Sequence, residues 1–303
     1  MNQVVAALRE MHKDDALASS ISVAAVCRWL SVPRSSAYYL KHEGPPCALG
    51  RSTSKPGSLP EGFLLGLIYS IIQHNASFGV RLTWAYLKYT LDIHVNIKRV
   101  ARLMQRESWT VRKRRKGGRP RVRALRSVAD RPNQRWATDI ALIQCGRDGW
   151  CAFVPILDCC TREVVGWELS TSWRAHTAER ALESALINRF GYTRGAPKGM
   201  ALRHDNGLVF GSRSYVAVAR DYGLRQEYIT PYSPQENGLC ERFIRTMKEE
   251  CAWQHRFTDI EQARNTLRTW VEWYNTRRPH SALGYTSPQT FKQQQAEPYT
   301  HAA

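Results

Sequence analysis

Between Val111 and Arg126 the chain reads Arg112-Lys113-Arg114-Arg115-Lys116-Gly117-Gly118-Arg119-Pro120-Arg121, with Arg123 and Arg126 beyond. Like charges at this density repel one another, so the segment cannot form a core. Whatever folds must fold on either side of it. Residues 111–130 are predicted to be a basic arm that orders on a polyanion, the plainer reading being a solvated linker. The same argument extends to the whole chain of 303 residues, whose formal net charge is +18 and pI about 9.9. Basic side chains gain affinity for nucleic acid by displacing condensed counterions. An anionic membrane surface would attract the same charge. Against that, the sequence has no run of eighteen apolar residues, and Met1-Asn2-Gln3-Val4 does not open a secretory leader.

Ahead of the arm the apolar pattern is helical. Val23 to Leu30, a turn at Val32-Pro33-Arg34-Ser35 and Ser36 to Leu40 fit a helix-turn-helix within residues 1–43, with Arg34 at the start of the DNA-facing helix. An ordinary helical hairpin is the plainer alternative. Residues 44–60, rich in Pro, Gly and Ser, read as a linker. Residues 61–110 then carry three apolar stripes at helical spacing, Phe63-Leu64-Leu67-Ile68-Ile71-Ile72, Leu82-Tyr86-Leu87 and Ile97-Val100-Leu103-Met104. With Arg81, Lys98, Arg99 and Arg102 on the polar faces, they suit a helical DNA-binding domain or a plain bundle with a basic surface.

After the arm the periodicity changes. Trp136 to Ile143, Trp150 to Leu157 and Glu163 to Leu169 read as three strands of a meander, separated by turn signals. A helix over Thr177 to Arg189, a strand over Met200 to Arg203, a helix over Ser212 to Tyr222 and a strand over Arg225 to Thr230 follow. Helices over Gln235 to Ala252 and Asp259 to Asn275 close the pattern. This order is that of a ribonuclease H-like α/β core, predicted for residues 131–292 with C-terminal helices, behind an all-helical N-terminal DNA-binding region. Residues 293–303 are a tail.

Three acids acquire meaning from that order. Asp139 lies on the first strand, Asp205 just after the fourth and Glu241 on the following helix, with 35 residues between the last two. Cutting or exchanging a phosphodiester requires charge stabilisation on both the attacking and the leaving oxygen, which two metal ions about 4 Å apart supply. Two Asp and one Glu suit Mg2+ or Mn2+. The same residues are the candidate catalytic and metal-holding set. Asn237-Gly238 leaves room for a DNA backbone, and Arg245 and Lys248 share the face of Glu241 on a helix and can meet phosphates. A surface salt bridge to those bases is the alternative for any single acid.

Other chemistries fit less well. The eight cysteines contain no C-x-x-C spacing, so a zinc module is not indicated and small core side chains are. Arg277, Arg278, His280 and Tyr285 would suit a tyrosine recombinase, but Ala282 stands where a second arginine is required.

Asp139, Asp205 and Glu241, with His204-Asp205-Asn206-Gly207 and Tyr232-Ser233-Pro234-Gln235-Glu236-Asn237-Gly238, resemble the DDE transposases of the insertion sequence 3 family, within the retroviral-integrase superfamily. Asp158 to Glu163 and Arg278 to Pro288 look like further family blocks, most like the insertion sequence 2 subgroup. The resemblance implies a bacterial, cytoplasmic and nucleoid-associated enzyme that uses two Mg2+ or Mn2+ ions to nick element ends and join them to target DNA. It also implies a homo-oligomer on double-stranded DNA and an upstream-frame partner protein that supplies a sequence-reading domain. A non-catalytic DNA-binding regulator of a longer fused transposase is the alternative function.

Overall fold

The computed structural model describes residues 59–111, 129–191, 195–230 and 234–296. The helix-turn-helix segment with Arg34, and Arg112, Lys113, Arg114, Arg115, Lys116, Arg119 and Arg121 of the arm, lie outside the described residues.

The three helical stripes form α1 (Glu61–His74), α2 (Val80–Tyr89) and α3 (Ile97–Arg106). Leu64, Ile68 and Ile71 of α1, Leu87 of α2 and Val100, Leu103 and Met104 of α3 are buried together with Phe78. Phe63, 56% exposed at the edge of the α1 stripe, and Ile97, 36% exposed at the start of α3, are the departures. Asn96 caps α3 by accepting from the Lys98 amide, and Glu61 ties the start of α1 to Arg106 at the end of α3. These helices pack on the C-terminal elements, with Phe78 against Trp273 and Trp84 edge-on to Tyr285.

The meander is built from β1 (Arg135–Thr138), β2 (Ala141–Gln144), β3 (Trp150–Asp158) and β4 (Val164–Ser170). The sequence predicts a single first strand over Trp136 to Ile143, whereas the structure divides it at Asp139-Ile140. Both pieces keep one antiparallel register with β3, from Trp136 opposite Asp158 to Gln144 opposite Trp150. The gap in pairing faces Pro155, a residue with no amide hydrogen for a ladder. β4 occupies the other edge of β3.

β5 (Ala201–His204) pairs parallel with β1, and β6 (Arg225–Tyr228) parallel with β5. The sheet thus runs β4, β3, β1 with β2, β5, β6, a mixed five-position sheet with the ribonuclease H-like order. Glu227 of β6 links it laterally: burial alone would raise its carboxyl, but Arg135 of β1 and Arg203 of β5 hold it low.

Period-two alternation sends side chains to two cores. Trp136, Val154, Ile156 and Leu202 face α4 (Ala175–Phe190) and α5 (Arg213–Asp221), where Leu182, Leu186 and Tyr215 are buried. Ala137, Phe153 and Leu157 face α6 (Gly238–Glu250) and α7 (Ile260–Thr276), meeting Cys240, Phe243, Met247 and Leu267. Gly166 of β4 is required for the first of these: a Cβ there would lie 2.7 Å from that of Ala185. A last helix, α8 (Pro288–Ala296), follows. The six cysteines among the described residues are free and buried, as small core side chains.

Candidate active site

The parallel register of β1 and β5 places the first two acids. Ala137 lies opposite Arg203, so two residues further on Asp139 and Asp205 leave neighbouring strand ends side by side. Strand spacing is about 4.8 Å. Asp139 shares the parity of Ala137, which packs against α6, and Asp205 that of Arg203, whose guanidinium reaches the Glu236 carbonyl at the start of α6. Both acids therefore leave the sheet on the α6 side.

Helix α6 brings the third. Its first turn carries Glu241, an acid at the positive end of the helix dipole. Two contacts fix that end. Asn237 Nδ2 donates to the Thr138 carbonyl, one residue before Asp139, at 3.0 Å. Glu236 accepts from the amide and hydroxyl of Thr230, closing the path from β6. Asn237 is 2% exposed, so the side chain expected beside DNA is instead a strut between α6 and β1.

The acids sense one another. Burial pushes the Asp139 carboxyl up to about 6, the Ile140 amide opposes this, and the charges on Asp205 and Glu241 raise it further. Lys248 offsets part of that crowding. Beneath them, burial raises the Cys240 thiol, with added contributions from Asp139, Glu241 and Asp205. Burial also raises the exposed Glu241 carboxyl, which has no ion-pair partner among the described residues. Arg245 pairs with Glu249 at 3.6 Å instead. The salt-bridge alternative for Glu241 is thus not the arrangement found.

Asp205 is held by its neighbours. Oδ1 accepts from the Gly207 amide at 2.9 Å, and a Cβ on Gly207 would come within 2.8 Å of that oxygen. Buried His204 donates from Nδ1 to the Asp205 carbonyl at 2.7 Å, which leaves Nε2 to accept from Gln226. Burial lowers the imidazole pKa, so it is a neutral support stacked on Phe210.

Among the described residues, no three Asp, Glu, His or Cys side chains already converge as a ligand cage. The donor chemistry nevertheless suits a hard divalent cation: all three side chains are carboxylates, and the charges of Asp205 and Glu241 both act on Asp139, which burial also raises. The Asn237 strut and the Gly207 amide had no signature in the sequence beyond the motifs containing them. Both depend on partners brought together by the fold.

A mixed sheet with this order, helices on both faces and acids at adjacent strand ends defines an integrase-type core. Residues 129–234 and 222–288 match two families described as integrase core domain, and residues 61–117 match an HTH-like domain. The chain belongs to the insertion-element transposases. It is 30% identical over 236 residues to transposase InsD of Escherichia coli insertion element IS2, covering 76% of this chain and 78% of that one. It is 32% identical over 225 residues to an uncharacterised protein of insertion element IS476 from Xanthomonas euvesicatoria, covering 74% of this chain and 63% of that relative. Among solved structures, the HTLV-2 integrase catalytic core domain in complex with magnesium aligns at 14% identity and TM-score 0.42, over 54% of this chain and 98% of that one. Among the described residues no helix is long and apolar enough to cross a membrane.

Proposed function

We propose that this chain cleaves the ends of an insertion element and joins them to target DNA, with Asp139, Asp205 and Glu241 as catalytic residues and ligands of two Mg2+ or Mn2+ ions. The observation that carries the reading is the register that sets Asp139 beside Asp205 while Asn237 pins the Glu241 helix to the same strand end.

When bound, the ions supply Lewis-acid stabilisation to the attacking and leaving oxygens of the phosphodiester. The chain's own residues prepare that reaction. The Gly207 amide and the His204-supported backbone orient Asp205; Asn237 fixes how far Glu241 stands from β1; Lys248, close enough to offset the charge crowding at Asp139, is placed to meet a phosphate. Arg245, exposed on the same face, offers a second phosphate contact, and Arg34 and the arm from Arg112 to Arg121 offer further ones. The attacking group is water in cleavage and a DNA 3′-hydroxyl in joining, so no protein nucleophile is required. Pairing two element ends calls for a homo-oligomer on DNA, and an upstream-frame partner would contribute sequence reading.

Calorimetric titration with Mn2+ tests the ligand assignment. Binding by the wild-type chain that disappears in Glu241→Gln and Asp139→Asn supports it; undiminished binding in both variants contradicts it.

A further inference from the structure

A cavity of about 700 Å3 opens between the start of α2, the turn before β4, the start of α6 and the loop between α7 and α8. Arg81, Arg162, Arg242 and Arg278 line it with His280 and Gly238, and no Asp or Glu is among its described lining residues. One of these charges is already matched. Arg278 is buried in a two-point ion pair with Glu250, at 2.7 and 2.6 Å, with its guanidinium over the Tyr274 ring. The other three arginines have no ion-pair partner among the described residues. The Arg162 Nε is buried without a hydrogen-bond acceptor. A hydrogen-bond donor taken out of water and left unmatched costs free energy that an incoming acceptor recovers.

These features converge on an anion. The unpaired guanidiniums supply forked donors. The cavity also receives the N-terminus of α6, a helix of thirteen residues whose N-cap Asn237 makes no side-chain capping bond. Around α6, the cavity residues Gly238, Arg242 and Thr246 are centred roughly 90° from Glu241, Arg245 and Lys248 at 3.6 residues per turn. The cavity thus lies on the flank of the helix that adjoins the one carrying Glu241.

We propose that this cavity binds a backbone phosphate of duplex DNA, at a point away from the bond that is cut, and that it ties the helical domain through Arg81 to the catalytic core through Arg162 and Arg242. This deepens the reading of the chain as a DNA-joining enzyme and rests on it. The partner is a phosphodiester because three arginines without an ion-pair partner among the described residues line the walls and no Asp or Glu is among the described lining residues. The shape is open to solvent on one side, as a continuous backbone requires. Contacts of this kind position the duplex without reading its sequence.

The full-length chain, a labelled duplex and a salt series test the proposal. Arg81→Ala/Arg162→Ala/Arg242→Ala is compared with Arg213→Ala/Arg256→Ala/Arg268→Ala, which removes the same charge from exposed positions elsewhere. The cavity variant is expected to bind about tenfold more weakly and to flatten the dependence of log affinity on log salt by about one unit per arginine. The distant variant should change neither by more than about a third as much. Arg242→Glu alone, at an exposed position, gives the same direction if the triple variant fails to fold. Equal effects from both triples, or an unchanged salt slope in the cavity variants, overturn the proposal. Mg2+-dependent cleavage of the same duplex by the wild type is followed in parallel. Its absence would overturn the catalytic reading, whereas cleavage with an unchanged slope would overturn the cavity alone.

Discussion

Asn237 is buried, yet its consequence is felt at an exposed side chain four positions later. The bond to the Thr138 carbonyl is what keeps the first turn of α6 against the strand end that carries Asp139. Asn237→Ala leaves that carbonyl unmatched and is expected to cost about 1–3 kcal/mol in denaturant unfolding. Strand cleavage should fall further than this loss accounts for, and Asn237→Asp, unable to donate, should not restore it. Gly207→Ala acts differently. The new methyl would crowd Asp205 Oδ1 while leaving the core intact. It should lower cleavage with a melting temperature near that of the wild type. Asp139→Asn removes one of three crowded charges, so its melting temperature should be no lower than the wild type's while cleavage falls to background.

At the scale of elements, the contact between β4 and α4 makes a clean control. Gly166→Val would push against Ala185 on the face of the sheet opposite the acids, and should destabilise the chain by about 1–3 kcal/mol without altering cleavage per folded molecule. The strands and helices themselves were legible because their apolar periods are strong: Leu182, Ala185 and Leu186 fall on the buried face of α4 as the spacing predicts. The division of the first strand was not, because no Gly, Pro or turn cluster stands at Asp139 and Ile140; the interruption faces Pro155 on another strand. The three acids could be picked out by their spacing and their place in the order of elements. Their support could not, since Asn237 to Thr138 joins residues 99 positions apart. Likewise, Arg278 and His280 stood out as a basic cluster, but only the fold shows that Glu250 neutralises the first and that the second is buried.

Across the whole molecule, that C-terminal loop also sets an acid limit. Burial, reinforced by Arg278, drives the His280 imidazole well below its ordinary value near 6.5. The unfolded chain therefore takes up this proton before the folded one does. The contribution is complete above pH 6.5 and is lost progressively as pH falls toward the depressed folded value. Wild-type stability is expected to decline below pH 6.5, and His280→Phe should flatten that decline; an equally steep decline in the variant would remove His280 as its cause.

The central claim is that Asp139, Asp205 and Glu241 act together on a DNA phosphodiester. It is tested most directly by cleavage of a labelled element end in Mg2+, comparing the wild type with Asp205→Asn at equal DNA occupancy. The account predicts cleavage by the wild type alone. Equal cleavage by both chains would contradict it.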